Sequence, residues 1–186
     1  ALALKPTHLS FNGGGNDILR PRTKASDIVD AFAQVLRRCD EEGVRMILLS
    51  GANPSKQLPM GSVFQRRGDE LSRAVDVHFT GRDDVFRALN WPDDELATPP
   101  YWSEDRLHMN VRGHHRVAAR VLDAVGQQAP EEWWSLPEIE TVGPRGWDYY
   151  REHVGPWIQR RLTRTSSGDG REPKYGLWHV MEPAER

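Results

Sequence analysis

Apolar residues follow two alternating rhythms along the first two-thirds of the chain. Residues 7–12 (Thr-His-Leu-Ser-Phe-Asn) predict a short strand that ends in Gly13-Gly14-Gly15. From Ser26 the interval changes to helical. Ile28, Phe32, Val35, Leu36 and Cys39 predict a helix over 26–42, with Ser26 as its N-cap and Gly43 as its stop. Residues 44–50 (Val-Arg-Met-Ile-Leu-Leu-Ser) are a nearly continuous apolar run, as expected of a strand buried on both faces, and Gly51-Ala52-Asn53-Pro54 breaks it. Leu71, Val75 and Phe79 predict a second helix over 68–79, closed by Gly81. Residues 84–89 form the third predicted strand, terminated by Asn90-Trp91-Pro92. A third helix is expected over 112–125, with Val117, Ala118, Val121, Leu122 and Val125 as its inner face.

Strands that alternate with helices imply an α/β fold whose parallel sheet is covered on both sides by right-handed crossovers. After Gly126 the rhythm is lost. Residues 127–186 are rich in Trp (133, 134, 147, 157 and 178), Pro and Arg, with helical spacing only near 147–162 and a turn at Ser166-Ser167-Gly168-Asp169-Gly170. The expected division is a core over 1–126 and an extension over 127–186 that packs on it through its aromatic residues. A separate binding module is the alternative.

Charge removes several classes of function. Lys and Arg number 25 against 27 Asp and Glu, a formal charge of −2, so no global field draws nucleic acid or an anionic membrane. No apolar run approaches the roughly 18–20 residues of a membrane span. The single cysteine, Cys39, excludes an internal disulfide and is expected to be a core residue. The cytoplasm is the expected compartment. The chain opens on Ala1 with no signal-peptide pattern, which leads to the expectation that it was cut from something longer.

In a parallel sheet, reactive groups gather beyond the carboxyl ends of the strands. Two segments there stand out. Gly13-Gly14-Gly15-Asn16-Asp17 permits close backbone approach to a ligand, and Asn16 can aim its amide at a developing oxyanion. The bland alternative is a glycine turn with Asn16 in a left-handed conformation. A phosphate loop is disfavoured, because neither a G-x-G-x-x-G fingerprint nor a Walker lysine is present. In the second segment, Asp105-Arg106-Leu107-His108 lets a tight turn bring a carboxylate to an imidazole, the pairing a general base requires. Asn110-x-x-Gly113-His114 and an apolar helix follow it, which makes the motif more specific. His108, His114 and His115 lack a carboxylate or cysteine at ligand spacing, so no metal is expected. The Arg160-Arg161-Leu162-Thr163-Arg164 run reads as a solvated helix face.

Both blocks resemble those of the SGNH/GDSL hydrolases: Gly14-Gly15-Asn16-Asp17 is similar to the family's Gly-x-Asn-Asp block, and Asp105 to His108 to its Asp-x-x-His block. Residues 102–108, 153–158, 160–162 and 166–171 are similar to a bacterial branch, so the resemblance spans nearly the whole chain. It implies a serine esterase with His108 as base, Asp105 as its orienter and Asn16 as an oxyanion donor beside Gly14 and Gly15. It also implies a small ester substrate, no cofactor, and a flavodoxin-like three-layer α/β/α sandwich with a five-stranded parallel sheet. The family's Gly-Asp-Ser block and first glycine block, and with them its first two strands, are not in this sequence. At about 30 residues per β-α unit, roughly 60–80 upstream residues would carry them, the nucleophile included. Ser50, Ser55, Ser103 and Ser167 lack a nucleophile's sequence setting. An acyltransferase using the same machinery, or a non-catalytic remnant that serves as a binding domain, are the alternatives.

Overall fold

A computed structural model of the chain describes residues 1–20, 22–58, 61–135, 146–163, 165 and 170–172, without the side chains of Trp157 and Arg161. The expected turn at 166–169 and Trp178 lie outside the described residues. Two compact units are present, Ala1–Gly143 and Pro144–Arg186.

The first unit is built on three parallel strands, β1 (His8–Asn12), β2 (Arg45–Leu49) and β3 (Val85–Ala88), in the order β1-β2-β3. Leu9 pairs in register with Met46 and Met46 with Val85, so all three carboxyl ends leave the sheet along one edge. Helix α1 (Ala25–Glu41) joins β1 to β2, α2 (Gly61–Phe79) joins β2 to β3, and α3 (Val111–Ala124) follows β3. The mixed α/β architecture read from the sequence is therefore present.

Alternation along the strands divides the sheet into two unlike faces. Met46 and Leu48 are fully buried and cluster with Ile28, Phe32 and Leu36 of α1 and Leu71, Val75 and Phe79 of α2. Each such side chain contributes roughly 1.5–3 kcal/mol of burial. Phe11 meets Phe32 edge-on, with ring centroids 5.1 Å apart. The other face carries His8, Ser10, Asn12, Arg45, Ile47, Leu49, Phe86 and Ala88, of which only Ala88 is buried. Helix α3 packs beside β3, leaving β1 and much of β2 uncovered on this side among the described residues. Among the described residues β1 also pairs along one edge only.

Helix α1 begins one residue earlier than expected. The Asp27 carboxylate accepts the Lys24 amide at 3.1 Å, so Ser26 lies inside the first turn and is not the N-cap. α2 begins seven positions before the expected start, at Gly61. Gly68 was read as a helix start, yet it lies within the helix because the Trp91 indole rests on it: a Cβ there would be 1.8 Å from Trp91 Cζ2. Trp91 Nε1 donates to Asp69 at 2.8 Å, which fixes the ring in place. Gly68→Ala is expected to lower stability by about 1–3 kcal/mol through overpacking, outweighing alanine's better helix propensity. An unchanged denaturant midpoint would show that the indole simply moves aside.

The inner face of α3 is not the apolar stripe expected. Val117, Ala118, Val121, Leu122 and Val125 are only partly buried, whereas Gly113 and Ala119 are buried and Arg116 is 11% exposed. Packing also continues past Gly126, where the sequence rhythm stops. Ala129 is buried, and Trp133 stacks on His115 at 5.0 Å with the rings 11° apart.

In the second unit, residues 147–163 form one helical run, π-wound over Tyr150–Val154. Tyr149 is buried, while Trp147 and Leu162 are exposed. Among the described residues no helix is long and apolar enough to cross a membrane.

Candidate functional site

The connection from β3 to α3 is tied down before it reaches the Asp-x-x-His segment. Asp93, buried, accepts the amides of Glu95 and Leu96 at 3.2 and 3.1 Å and receives Arg116 through Nε at 2.7 Å and Nη2 at 3.1 Å. Arg120 adds a contact to Asp93 at 3.2 Å and donates to the Leu89 carbonyl at 2.8 Å. Burial alone would raise the Asp93 carboxyl, but the arginines and the Leu96 amide outweigh it and hold the pKa below the usual range. Arg116 also pairs with Glu95 at 2.9 Å and lies over the Tyr101 ring, while the Tyr101 hydroxyl donates to Glu95. Burial, then Glu95, pushes the Tyr101 phenol up. The apolar spacing of α3 gives Arg116 and Arg120 no role. Only the fold reveals their buried partner.

Beyond Tyr101 the chain makes a narrow hairpin. Trp102 and Met109 form an antiparallel bridge, and the Ser103 amide donates to the His108 carbonyl at 2.8 Å. Asp105 Oδ1 accepts the amides of Leu107 and His108, both at 3.0 Å, which closes the turn. Arg106, at φ 57°, takes the left-handed conformation this turn requires, at a cost of about 1–2 kcal/mol.

The other oxygen of the same carboxylate, Oδ2, meets His108 Nδ1 at 2.6 Å. The contact expected from the spacing is therefore present. Burial tends to raise the Asp105 carboxyl, yet the His108 ring and the two amides hold it below the usual range. An ionised carboxylate only accepts, so Nδ1 carries the proton that faces it and Nε2 is the outward nitrogen. Among the described residues, Nε2 has no hydrogen-bond partner, and the His108 side chain is 76% exposed. An oriented imidazole thus faces outward with Nε2 accessible.

The glycine turn leaves the same edge of the sheet. Gly14, buried and at φ 83°, would set a Cβ 2.9 Å from Leu71 Cδ2, so only glycine fits. Nothing crowds Gly15. Asn16 is in the right-handed region at φ −77°, so the left-handed alternative does not hold. Its amide is exposed and unpartnered among the described residues. Asn16 and the Asp105–His108 pair share the strand-end edge without hydrogen-bonding to one another.

The candidate serines are placed otherwise. Ser50 Oγ accepts the Trp91 amide at 2.9 Å, and Ser55, buried, donates to Gln65 at 2.5 Å. Among the described residues, neither these hydroxyls nor that of Ser103 hydrogen-bonds to the His108 ring, and Ser167 lies outside the described residues. His114 and His115 are exposed within the first turns of α3. Among the described residues no group of three or more His, Cys, Asp or Glu can hold a metal ion. Burial raises the Cys39 thiol, with Asp40 adding to the effect, which suits an inert core residue and not a nucleophile.

No family model, curated protein or solved structure matches the chain.

Proposed function

We propose that this chain supplies the base-bearing part of an ester hydrolase of the SGNH/GDSL type, whose serine comes from a segment outside these residues. The observation that carries this reading is the Asp105–His108 pair, held at 2.6 Å with Nε2 unpartnered. In the reaction, Nε2 takes the serine hydroxyl proton as the serine oxygen bonds to the ester carbonyl carbon. The carbonyl oxygen becomes an oxyanion within reach of a preorganised donor, the role given to the Asn16 amide beside Gly14 and Gly15. The tetrahedral intermediate expels the alcohol, which leaves with the proton from His108, and the acyl group stays on serine. Water then repeats the sequence, giving up its proton to Nε2, and the acid is released as serine recovers its hydrogen.

The sheet supports a serine from elsewhere. β1 has an unpaired edge, and the face carrying Ser10, Ile47, Leu49 and Phe86 is uncovered beside a half-exposed α3 among the described residues. With the two upstream strands that the resemblance implies, that face would be buried by a helix and that edge paired by a further parallel strand. Its carboxyl end would then lie on the same edge of the sheet as His108 and Asn16. The completed five-stranded sandwich would be the family's flavodoxin-like arrangement.

Fluorophosphonate labelling tests the reading. The 186 residues alone are expected to stay unlabelled. The chain extended upstream through its own coding sequence is expected to label at one serine in the added segment, and to lose most labelling as His108→Ala. Stoichiometric labelling of a serine within residues 1–186, or none in the extended protein, would overturn it.

A further inference from the structure

The motif Asn110-x-x-Gly113 lies directly after the base, and its role is not accounted for by the reaction. The Asn110 side chain makes three hydrogen bonds. Its Oδ1 accepts the Gly113 amide at 3.1 Å and so caps α3. Its Nδ2 donates to the carbonyls of Pro100 at 2.8 Å, in the 3-10 turn Pro99–Tyr101, and Trp102 at 3.2 Å, where the chain enters the hairpin. The Asn110 backbone amide adds a bond to the Tyr101 carbonyl at 3.1 Å. The residue that ends the hairpin therefore grips the segment that begins it, and fastens both to a helix.

We propose that Asn110 is a positioning residue, whose side-chain amide clamps the hairpin so that Asp105 and His108 meet in one fixed geometry. The proposal rests on the reading of His108 as the base. The cap alone needs only an acceptor, which serine or aspartate also supplies. The clamp needs two donors on a planar group that also accepts, and among side chains of this length only asparagine offers that set. Distance gives the clamp its leverage. Between Trp102–Met109 and the tip, the hairpin is held by the Ser103–His108 bond, the Arg106–Ser103 bond and the Asp105 carboxylate itself. If the base opens, Asp105 and His108 shift relative to one another, and the ring is free to carry its proton on either nitrogen.

Asn110→Ser and Asn110→Asp separate the two roles, since each keeps the cap and loses the clamp. In the ¹⁵N-histidine-labelled 186-residue chain, the native protein is expected to show His108 in the Nδ1–H tautomer. In both variants that signature is expected to give way to averaging between tautomers, with a near-native thermal midpoint. In the complete enzyme, the same variants are expected to lose about 10²-fold in kcat with KM little changed, the size of effect that a misplacement of about 1 Å produces. A folded Asn110→Ser protein that keeps the native tautomer signature would overturn the proposal. So would loss of the fold in both variants, because that would make Asn110 a general stabiliser. Loss of the signature in a protein without any esterase activity would sink the esterase reading and leave the positioning role standing.

Discussion

Replacing His108 with alanine in a catalytically complete protein is expected to lower kcat by about 10⁴–10⁶-fold, because the serine proton loses its acceptor. Asp105→Asn is expected to cost roughly 10⁴-fold or somewhat less. The amide keeps the shape of the carboxylate, but it can present its NH₂ to Nδ1 and favour the wrong tautomer. It also offers only one acceptor oxygen, where Asp105 uses one for the turn amides and the other for the ring. Asn16→Ala is expected to cost about 10²–10³-fold, mainly in kcat, since its hydrogen bond strengthens only as charge develops on the carbonyl oxygen. Because the Asn16 side chain has no partner among the described residues, the fold should tolerate its loss. Steady-state kinetics on variants shown by circular dichroism to be folded would check the series. Near-native turnover in folded His108→Ala protein would remove the mechanism. Equal effects of all three variants on the affinity for a non-hydrolysed ester would favour a binding domain instead.

The largest effect on stability is expected at Asp93. Its side chain is 4% exposed and faces Arg116 at 11% and Arg120 at 27%. Asp93→Ala removes the carboxylate shared by two partly buried guanidinium groups and the Leu96 amide, leaving Arg116 to Glu95 and Arg120 to the Leu89 carbonyl, which is expected to cost about 3 kcal/mol. The exposed Arg38–Glu41 pair, at 2.6 Å against 2.7 Å for Arg116–Asp93, provides the contrast. Arg38→Ala should cost under about 1 kcal/mol, because water screens the pair and competes with it. Distance is the same in kind at both sites; burial decides the outcome. The sign with pH follows from the direction of the shift. The folded Asp93 carboxyl is held below its unfolded value of about 3.9. Its contribution is therefore complete above that value and is lost as pH falls through the lower folded pKa. Asp93→Ala should accordingly flatten the acid limb of the stability profile. Urea midpoints measured from neutral pH into the acid range would reveal it, and an acid limb of unchanged slope would show that the pair contributes little.

Periodicity was enough to determine the succession of elements. Met46 and Leu48 lie in an apolar run and are buried, although the burial of both faces expected for that run is not found, since Arg45, Ile47 and Leu49 on the other face are not buried. Ile28, Phe32, Leu36 and Cys39 recur where one helical stripe must face a core. The Asp105–His108 contact was legible for a similar reason, since two intervening residues fit a turn that the aspartate itself closes. These are local relations, set by dihedral preferences and by hydrogen bonds between residues a few positions apart. Relations between distant residues had to await the tertiary structure. Gly68 looked like a helix start because glycine usually punctuates, yet the indole of Trp91 requires it inside α2. Arg116 and Arg120 have no role in the apolar spacing of α3, and only a carboxylate from the β3–α3 connection turns them inward. Asn110 looked like part of a motif without a stated duty until its amide was seen to reach Pro100 and Trp102. The uncovered face beside β1 was likewise invisible in one dimension, because alternation along a strand says which residues share a face but not which element covers it.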